Sequence, residues 1–189
     1  FALTARIYGI DRLLIAPFFY SMRMDLEPQN YSPSNYKKYI HGSAEVVGLM
    51  CLRVFCNGNN TRYDQLAPGA ASLGSAYQKV NFLRDLAADY KELGRLYFPG
   101  VTFETFDETA KQHIVDDIKK DFSDALPALR RLPSSCRKAT LISYVYYTDL
   151  LNKLEKTPVE TIKKTRIRVP SRRKLALIIR TLVREGWNQ

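Results

Sequence analysis

The chain has 189 residues and a hydrophobic content of 46%, which allows one compact domain with a core and excludes an intrinsically disordered protein. Its formal net charge of +10 indicates acidic partners, a class that includes nucleic acid, anionic lipid and phosphorylated small molecules. Three cysteines without the spacing of metal ligands cannot all pair, so free thiols in a reducing, cytoplasmic compartment are expected.

The first predicted element is a helix over residues 1–24, in which Pro17 marks a bend or a break because proline has no amide hydrogen to donate. A polar connection over residues 24–35 follows this helix. It ends at Ser34 or Asn35, either of which is predicted to cap the next helix.

A second helix is predicted over residues 36–55, and it is unusual for its small residues, Gly42 and Gly48 among them. Each glycine inside a helix costs about 1 kcal/mol relative to alanine, so some gain must offset the loss. Either the glycines allow close packing against a neighbouring helix, or the missing side chains leave space for a ligand. The sequence leaves both alternatives open.

A third helix is predicted over residues 63–93, and it carries a row of polar side chains on one face. The members of this row are Gln78, Asn81, Asp85 and Asp89. Their spacings of three, four and four residues place them within an arc of roughly 80°. Towards the N-terminus the same face continues through the small residues Ser75, Gly74, Ala71 and Ala70. Such a face suits a ligand with an apolar tail and an anionic head.

The two aspartates of this row, Asp85 and Asp89, lie one turn apart and can direct two carboxylates at one hard cation. Asn81 adds a neutral oxygen, and Mg²⁺, or Mn²⁺ in its place, prefers such ligands together with substrate phosphates. Arg84 and Arg95 flank the acids, where they would bind phosphate oxygens. The alternative is that this face is solvated and binds no metal. The metal site is favoured because the aspartates share the face with the amide side chains of Gln78 and Asn81 rather than with lysines.

A fourth helix is predicted over residues 106–132, with Asp107 as its N-cap. It contains a rival acidic cluster, which consists of Asp116, Asp117, Asp121 and Asp124. Because lysines are interleaved with these acids and no amide accompanies them, we interpret the cluster as a solvated surface rather than a metal site.

The last predicted elements are a helix over residues 136–156, a short helix over residues 159–164, and a basic segment that leads into an amphipathic helix. The basic segment would attract phosphate groups or an anionic membrane surface. It has no helix-turn-helix or RNA-binding signature, so nucleic acid is not an expected partner. The sequence also has no nucleophile–histidine pattern, phosphate-binding loop or dinucleotide fingerprint, which leaves a metal ion as the expected electrophile.

The segment NFLRDLAAD, followed by GRLYFP, resembles the second aspartate-rich motif of the squalene/phytoene synthase family. That motif has the pattern Q-x-x-N-x-x-R-D-x-x-x-D and then G-R-x-Y-x-P, and about nine constrained positions recur here in order. Residues 39–48 resemble the family segment Y-x-x-x-V-A-G-x-V-G, with Glu45 in place of a glycine, and residues 165–170 resemble T-R-x-x-V-P.

This resemblance implies an all-α fold of the isoprenoid-synthase type, a helical bundle around a central cavity. It covers the C-terminal two-thirds of the family fold. Because the chain begins at Phe1, and no second aspartate motif occurs before Tyr36, we expect residues 1–189 to form one prenyl-synthase domain that is incomplete at its N-terminus.

The function implied by the resemblance is a Mg²⁺-dependent head-to-head condensation of two prenyl diphosphates. The phytoene branch is favoured, in which geranylgeranyl diphosphate gives phytoene through prephytoene diphosphate and no NADPH is needed. Two alternatives stay open. One is squalene or dehydrosqualene synthesis from farnesyl diphosphate, and the other is a non-catalytic relative that acts as an assembly or binding factor. Peripheral contact with a membrane is expected because the product is a hydrocarbon.

The resemblance also implies roles for individual side chains. Asp85 and Asp89 would be catalytic metal ligands, with Asn81 as a third ligand. Tyr147 and Arg166 would also be catalytic and would approach the diphosphate. The other residues expected to bind substrate near the diphosphate are Gln78, Asn81, Arg84, Arg95 and Tyr97. The residues implied to border the prenyl chain are Tyr39, Ser43, Gly48 and Met50.

Overall fold

The computed structural model describes residues 1–26 and 31–186, and every regular element in that part of the chain is a helix, as predicted. The helices are α1 (Ala2–Tyr8), α2 (Arg12–Met24), α3 (Pro33–Ile40), α4 (Val46–Cys56), α5 (Asn60–Leu93), α6 (Glu108–Arg130), α7 (Ser134–Lys156), α8 (Val159–Ile162) and α9 (Ser171–Gly186). A single π-helical segment, His41–Glu45, joins α3 to α4. The 34-residue helix α5 packs against α4, α6 and α7.

Of the two alternatives predicted at Pro17, the break is wrong, because the chain interrupts its first helix at Gly9 instead, and the bend stays a prediction. Gly9 has φ 66° and ends α1 in the left-handed region that favours glycine. Asp11 then caps α2, since its carboxylate accepts hydrogen bonds from the amides of Leu13 (2.9 Å) and Leu14 (3.3 Å). Pro17 lies in the second turn of α2, where it removes a single hydrogen bond.

The predicted cap of the next helix is also wrong by a few residues. Ser32 is the N-cap, and its hydroxyl accepts a hydrogen bond from the amide of Asn35 at 3.2 Å. Pro33 occupies the first helical position, where its fixed φ suits a helix start. Residues 27–30 of the predicted connection lie outside the described residues.

Two other predicted helix ends are confirmed. The Asp107 carboxylate accepts a hydrogen bond from the Ala110 amide at 2.8 Å and begins α6. The third predicted helix was expected to end at Leu93, and α5 does end there, with Gly94 at φ 63° as its cap. Both ends depend on a cap residue and its immediate neighbours, which is why the local sequence is enough to predict them.

The glycines of the second predicted helix serve close packing. A Cβ at Gly42 would collide with the Ser21 side chain and the Pro17 carbonyl group, and a Cβ at Gly48 would lie 2.6 Å from the carbonyl oxygen of Ala70. The continuous helical segment Pro33–Cys56 is also long and apolar enough to cross a membrane, which is weak support for a span by itself. In this structure it packs against α2 and α5.

The buried side of α5 faces α6 and includes an ion-pair network around Lys79, which is 8% exposed. The Lys79 ammonium lies 2.5 Å from the Asp117 carboxylate and 2.8 Å from that of Asp121. Ser75 donates a hydrogen bond to Asp121 at 2.7 Å. The expectation of a solvated acidic surface is therefore wrong for Asp121, while Asp124 is exposed and pairs with an exposed lysine.

Candidate active site

A cavity of about 520 Å³ lies between α4, α5, α6 and α7. Its lining follows α5 from Leu66 to Asn81, a rise of about 22 Å. Leu129 and Leu132 line it beside the N-terminal part of α5, and Gln78 and Asn81 line it at the other end. The cavity is therefore long, mostly apolar and polar at one end.

Five residues predicted as site residues line this cavity, and they come from four helical elements. They are Ser43, Gly48, Gln78, Asn81 and Tyr147. The Tyr147 hydroxyl donates a hydrogen bond to the Asn81 side-chain oxygen at 3.4 Å. The Tyr147 ring stacks on that of Tyr77 with centroids 4.0 Å apart. Gly48 thus serves both open alternatives, since it packs on α5 and also leaves space in the cavity wall.

Two other cavity residues, Thr140 and Ser143 of α7, were not singled out from the sequence. They precede Tyr147 by seven and four residues, so the three side chains share one helix face. This spacing is a signal in the sequence from which the shared face of Thr140, Ser143 and Tyr147 could be predicted. The family resemblance implied a role for Tyr147 alone.

The two aspartates follow Asn81 along α5, at a rise of about 6 Å per turn of four residues. Both carboxylate oxygens of Asp85 are held by guanidinium groups. Arg84 donates to them from Nε at 3.0 Å and from Nη2 at 2.6 Å, and Arg166 Nε lies 2.6 Å from Oδ1. The structure therefore brings Arg166, from the segment between α8 and α9, to the acidic end of the polar row.

Asp89 lies one turn further along and is half-buried. Burial, and then the nearby charge of Asp85, raises the pKa of Asp89 to about 6, although Arg95 and Arg166 act in the opposite direction. Asp89 thus lies near a second carboxylate in a partly desolvated place. A divalent cation would relieve that repulsion, so these side chains fit a metal with oxygen ligands.

Tyr39 does not line the cavity, contrary to the expected position along the prenyl chain. It is 4% exposed, and its hydroxyl donates to the Asp25 carboxylate at 2.9 Å. Its ring lies in an aromatic cluster with Phe82 and Tyr97, which stack at 3.9 Å. The contacts of its ring explain the error, because Phe82 of α5 and Tyr97 of the following loop hold Tyr39 away from the cavity.

Met50 is likewise not part of the cavity lining. It packs against a cluster that Leu14 and Val46 form with α1, on the other side of α4 from Gly48. A separation of two residues on a helix corresponds to a rotation of about 200° around its axis, so Gly48 and Met50 cannot both face the same cavity.

Arg95 lies just beyond Gly94, at the C-terminal end of α5. It donates from Nη2 to the backbone carbonyl oxygen of Asp25 at 2.7 Å and lies 3.3 Å from the Asp25 carboxylate. Tyr97 is buried in the aromatic cluster described above.

Among the described residues no group of three or more His, Cys, Asp or Glu side chains converges on one point. Asp85 and Asp89 would therefore need substrate phosphates and water to complete a coordination sphere.

Comparison with known proteins gives three findings. A family model described as squalene/phytoene synthase matches residues 1–173. A bifunctional lycopene cyclase/phytoene synthase of Neurospora crassa is 24% identical over 172 aligned residues, which cover 78% of this chain and 28% of that protein. The crystal structure of a dehydrosqualene synthase in complex with a ligand is similar with a TM-score of 0.69 and 21% identity, and the match covers 90% of this chain and 65% of that one.

The structural likeness shows that this chain has the same fold as that solved synthase. The chain spans less than a third of the length of the curated relative and about two thirds of the length of the solved one.

Proposed function

The chain belongs to the squalene/phytoene synthase family, and we propose on that premise that it catalyses the metal-dependent head-to-head condensation of two prenyl diphosphates. Within that reaction class we propose the phytoene branch, with geranylgeranyl diphosphate as substrate. One observation supports the proposal most strongly. A long apolar cavity ends at Gln78 and Asn81, and the acidic pair Asp85 and Asp89 continues the same helix face.

Different residues along α5 and its neighbours would bind the prenyl chain and the diphosphate. The apolar walls, which include Leu73 and Leu129, hold the prenyl chain and offer no nucleophile to a carbocation. Arg84 and Arg166 carry the positive charge that binds diphosphate oxygens, and both form ion pairs with the Asp85 carboxylate.

Asp85, Asp89 and the Asn81 oxygen would hold Mg²⁺, or Mn²⁺ in its place. When bound, the metal supplies charge neutralisation for a departing diphosphate. Tyr147 fixes the Asn81 side chain through its hydrogen bond and lies where the cavity meets the polar row. The side chains themselves thus orient the diphosphate at the polar end of the cavity and keep water from the prenyl chain.

A product assay tests the proposal directly. Incubation of the protein with geranylgeranyl diphosphate and Mg²⁺, without NADPH, is expected to give a C40 hydrocarbon detected by gas chromatography and mass spectrometry. Omission of Mg²⁺ in the presence of EDTA is the control and should remove the product. A C30 hydrocarbon from farnesyl diphosphate would move the protein to the dehydrosqualene branch, which the name of the solved relative favours. A C30 product that requires NADPH would indicate the squalene branch.

The absence of product from either substrate would contradict the enzymatic proposal. If inorganic diphosphate then still raised the melting temperature only in the presence of Mg²⁺, the protein would bind metal and diphosphate without catalysing the reaction. That combination would support the non-catalytic relative, which acts as a binding or assembly factor.

Helix α9 supports peripheral contact with an anionic membrane. It packs on α7, where Thr181 is buried, and it presents apolar side chains to solvent on its opposite side. The exposed apolar residues are Leu175, Ile178, Ile179, Leu182 and Val183. Exposed basic residues, Arg172 and Arg180 among them, accompany this apolar row. An amphipathic helix with cationic flanks suits the boundary between headgroups and acyl chains.

We expect the protein to sediment with vesicles of phosphatidylglycerol and phosphatidylcholine, and to bind pure phosphatidylcholine several-fold more weakly, because each basic residue near an anionic surface contributes about 1 kcal/mol. Ile179→Glu should reduce binding by about tenfold, since it places a charge in the apolar row. Leu13→Glu is the matched control, because Leu13 is 80% exposed on α2 and should leave binding unchanged. Equal binding of the wild type and Ile179→Glu would contradict a membrane role for α9.

A further inference from the structure

Asp25 connects three separate segments of the chain at the acidic end of the site. It follows the last residue of α2, and its carboxylate accepts a hydrogen bond from the Tyr39 hydroxyl of α3 at 2.9 Å. Arg95, from the loop after α5, lies 3.3 Å from the same carboxylate and donates to the Asp25 backbone carbonyl oxygen at 2.7 Å. One residue thus holds the Arg95 guanidinium through two different acceptors.

The surroundings of this contact make it a rigid one. The Arg95 side chain is 13% exposed and that of Asp25 is 32% exposed, so the ion pair is largely shielded from water. Tyr31 and Tyr97 are both buried beside Tyr39, with ring centroids 5.6 Å and 5.7 Å from its own. A guanidinium held at two points among packed rings has little freedom to change direction.

The position of Arg95 matters because Asp89 is close to it. The Arg95 backbone amide donates a hydrogen bond to the Asp89 carbonyl oxygen at 3.2 Å, so the two residues lie side by side at the end of α5. No hydrogen bond joins their side chains among the described contacts, since the Arg95 guanidinium is bound to Asp25. Without Asp25, the flexible arginine would have Asp89 as its neighbouring carboxylate, and an ion pair there would neutralise the residue that the metal needs.

We propose that Asp25 is a positioning residue, which holds Arg95 beside Asp89 but not on it, so that Arg95 binds a phosphate group while Asp89 stays free for the cation. The role of Asp25 rests on the proposed diphosphate site. Asp25 touches neither substrate nor metal in this scheme and acts only through Arg95. The contact also explains why Tyr39, which does not reach the cavity, is nevertheless buried at this end of the molecule.

A double-mutant cycle on the full chain tests the proposal, with inorganic diphosphate and Mn²⁺ as the probe and calorimetric Kd as the readout. Asp25→Asn is expected to weaken diphosphate binding by about tenfold, which corresponds to the loss of one charge-assisted hydrogen bond. In the background of Arg95→Ala the same change should weaken binding by less than about twofold, because the residue through which Asp25 acts is already gone. Asp25→Glu, which keeps the carboxylate, should recover part of the affinity.

Asp149→Asn is the matched control, because Asp149 also holds an arginine, Arg173, through both carboxylate oxygens, but on α7 and away from the cavity lining. It should not change the Kd. Equal weakening by Asp25→Asn in both backgrounds, or none in the wild type, would overturn the positioning role.

A purely structural role would lower the melting temperature without coupling the two residues in the diphosphate Kd. If Asp25→Asn does not fold, the same cycle is run with Asp25→Ala, and coupling to Arg95 remains the criterion. If the wild type itself does not bind diphosphate with Mn²⁺, the proposed function fails. If only the coupling is absent, the proposed function stands and this inference fails.

Discussion

Replacement of either aspartate of the polar row by asparagine is expected to abolish prenyl transfer. Asp85→Asn and Asp89→Asn each remove one of the two α5 carboxylates that form the proposed metal site. We expect turnover to fall by about a thousandfold or more, the scale seen when one electrostatic group that stabilises a transition state is lost. Product formation from geranylgeranyl diphosphate, together with Mn²⁺ affinity measured by electron paramagnetic resonance, checks the prediction.

A matched control for these variants lies in the other acidic cluster. Asp124 is an exposed carboxylate that pairs with Lys120 on the surface of α6. Asp124→Asn should therefore retain full turnover and full Mn²⁺ affinity. Wild-type activity in both Asp85→Asn and Asp89→Asn would remove the metal assignment.

The protonation of Asp89 gives this prediction a second readout. Because burial raises the pKa of Asp89 to about 6, the folded state disfavours its ionised form, and ionisation costs stability as the pH rises through this value. Asp89→Asn should accordingly unfold at the same temperature as the wild type or higher, near neutral pH. Mn²⁺ affinity should fall as the pH drops below about 6, where Asp89 becomes protonated. A variant that loses activity because it unfolds would contradict this explanation.

The largest expected effect on stability comes from Lys79, which lies on the opposite side of α5 from the cavity. Lys79→Met would leave Asp117 and Asp121 close together without their shared cation, in a contact where Asp121 is only 18% exposed. We expect a loss of about 3 kcal/mol in the free energy of unfolding, at the lower end of the range for a broken buried pair because Asp117 is 57% exposed. Urea unfolding followed by circular dichroism measures the change.

Two further variants separate the ion pair from general effects of losing a lysine. Lys120→Met removes an exposed lysine that pairs with Asp124 on the same helix, and it should leave the unfolding midpoint unchanged. Adding Asp121→Leu to Lys79→Met should recover most of the lost stability, since a buried charge then no longer lacks its partner. Equal loss in Lys79→Met and Lys120→Met would show that the buried network contributes nothing specific.

Much of the architecture was accessible from the sequence because it depends on neighbouring residues. The left-handed end of α5 at Gly94 and the capped start of α6 at Asp107 involve only a few consecutive positions. The shared face of Gln78 and Asn81 follows from helical periodicity alone, and the structure places both of them on the cavity. Whether Asp85 and Asp89 hold a metal stays a prediction.

The errors arose where distant segments decide the local structure. Ring contacts with Phe82 and Tyr97, which lie 43 and 58 positions further along the chain, hold Tyr39 away from the cavity. The partner of Asp121 is Lys79, 42 positions earlier in the chain, so the acidic cluster could not be interpreted from its own helix.

The sequence by itself determined most of the helices, the ends at Gly94 and Asp107 and the polar row on α5, because backbone hydrogen bonding and periodicity act over a few residues. Only the tertiary structure decided which side chains meet. Arg166 reaches Asp85, and Arg95 reaches Asp25, because packing of α5 against its neighbours brings these positions within hydrogen-bonding distance. Ion pairs of this kind depend on distances of a few ångströms between segments up to 81 residues apart, which local patterns do not contain.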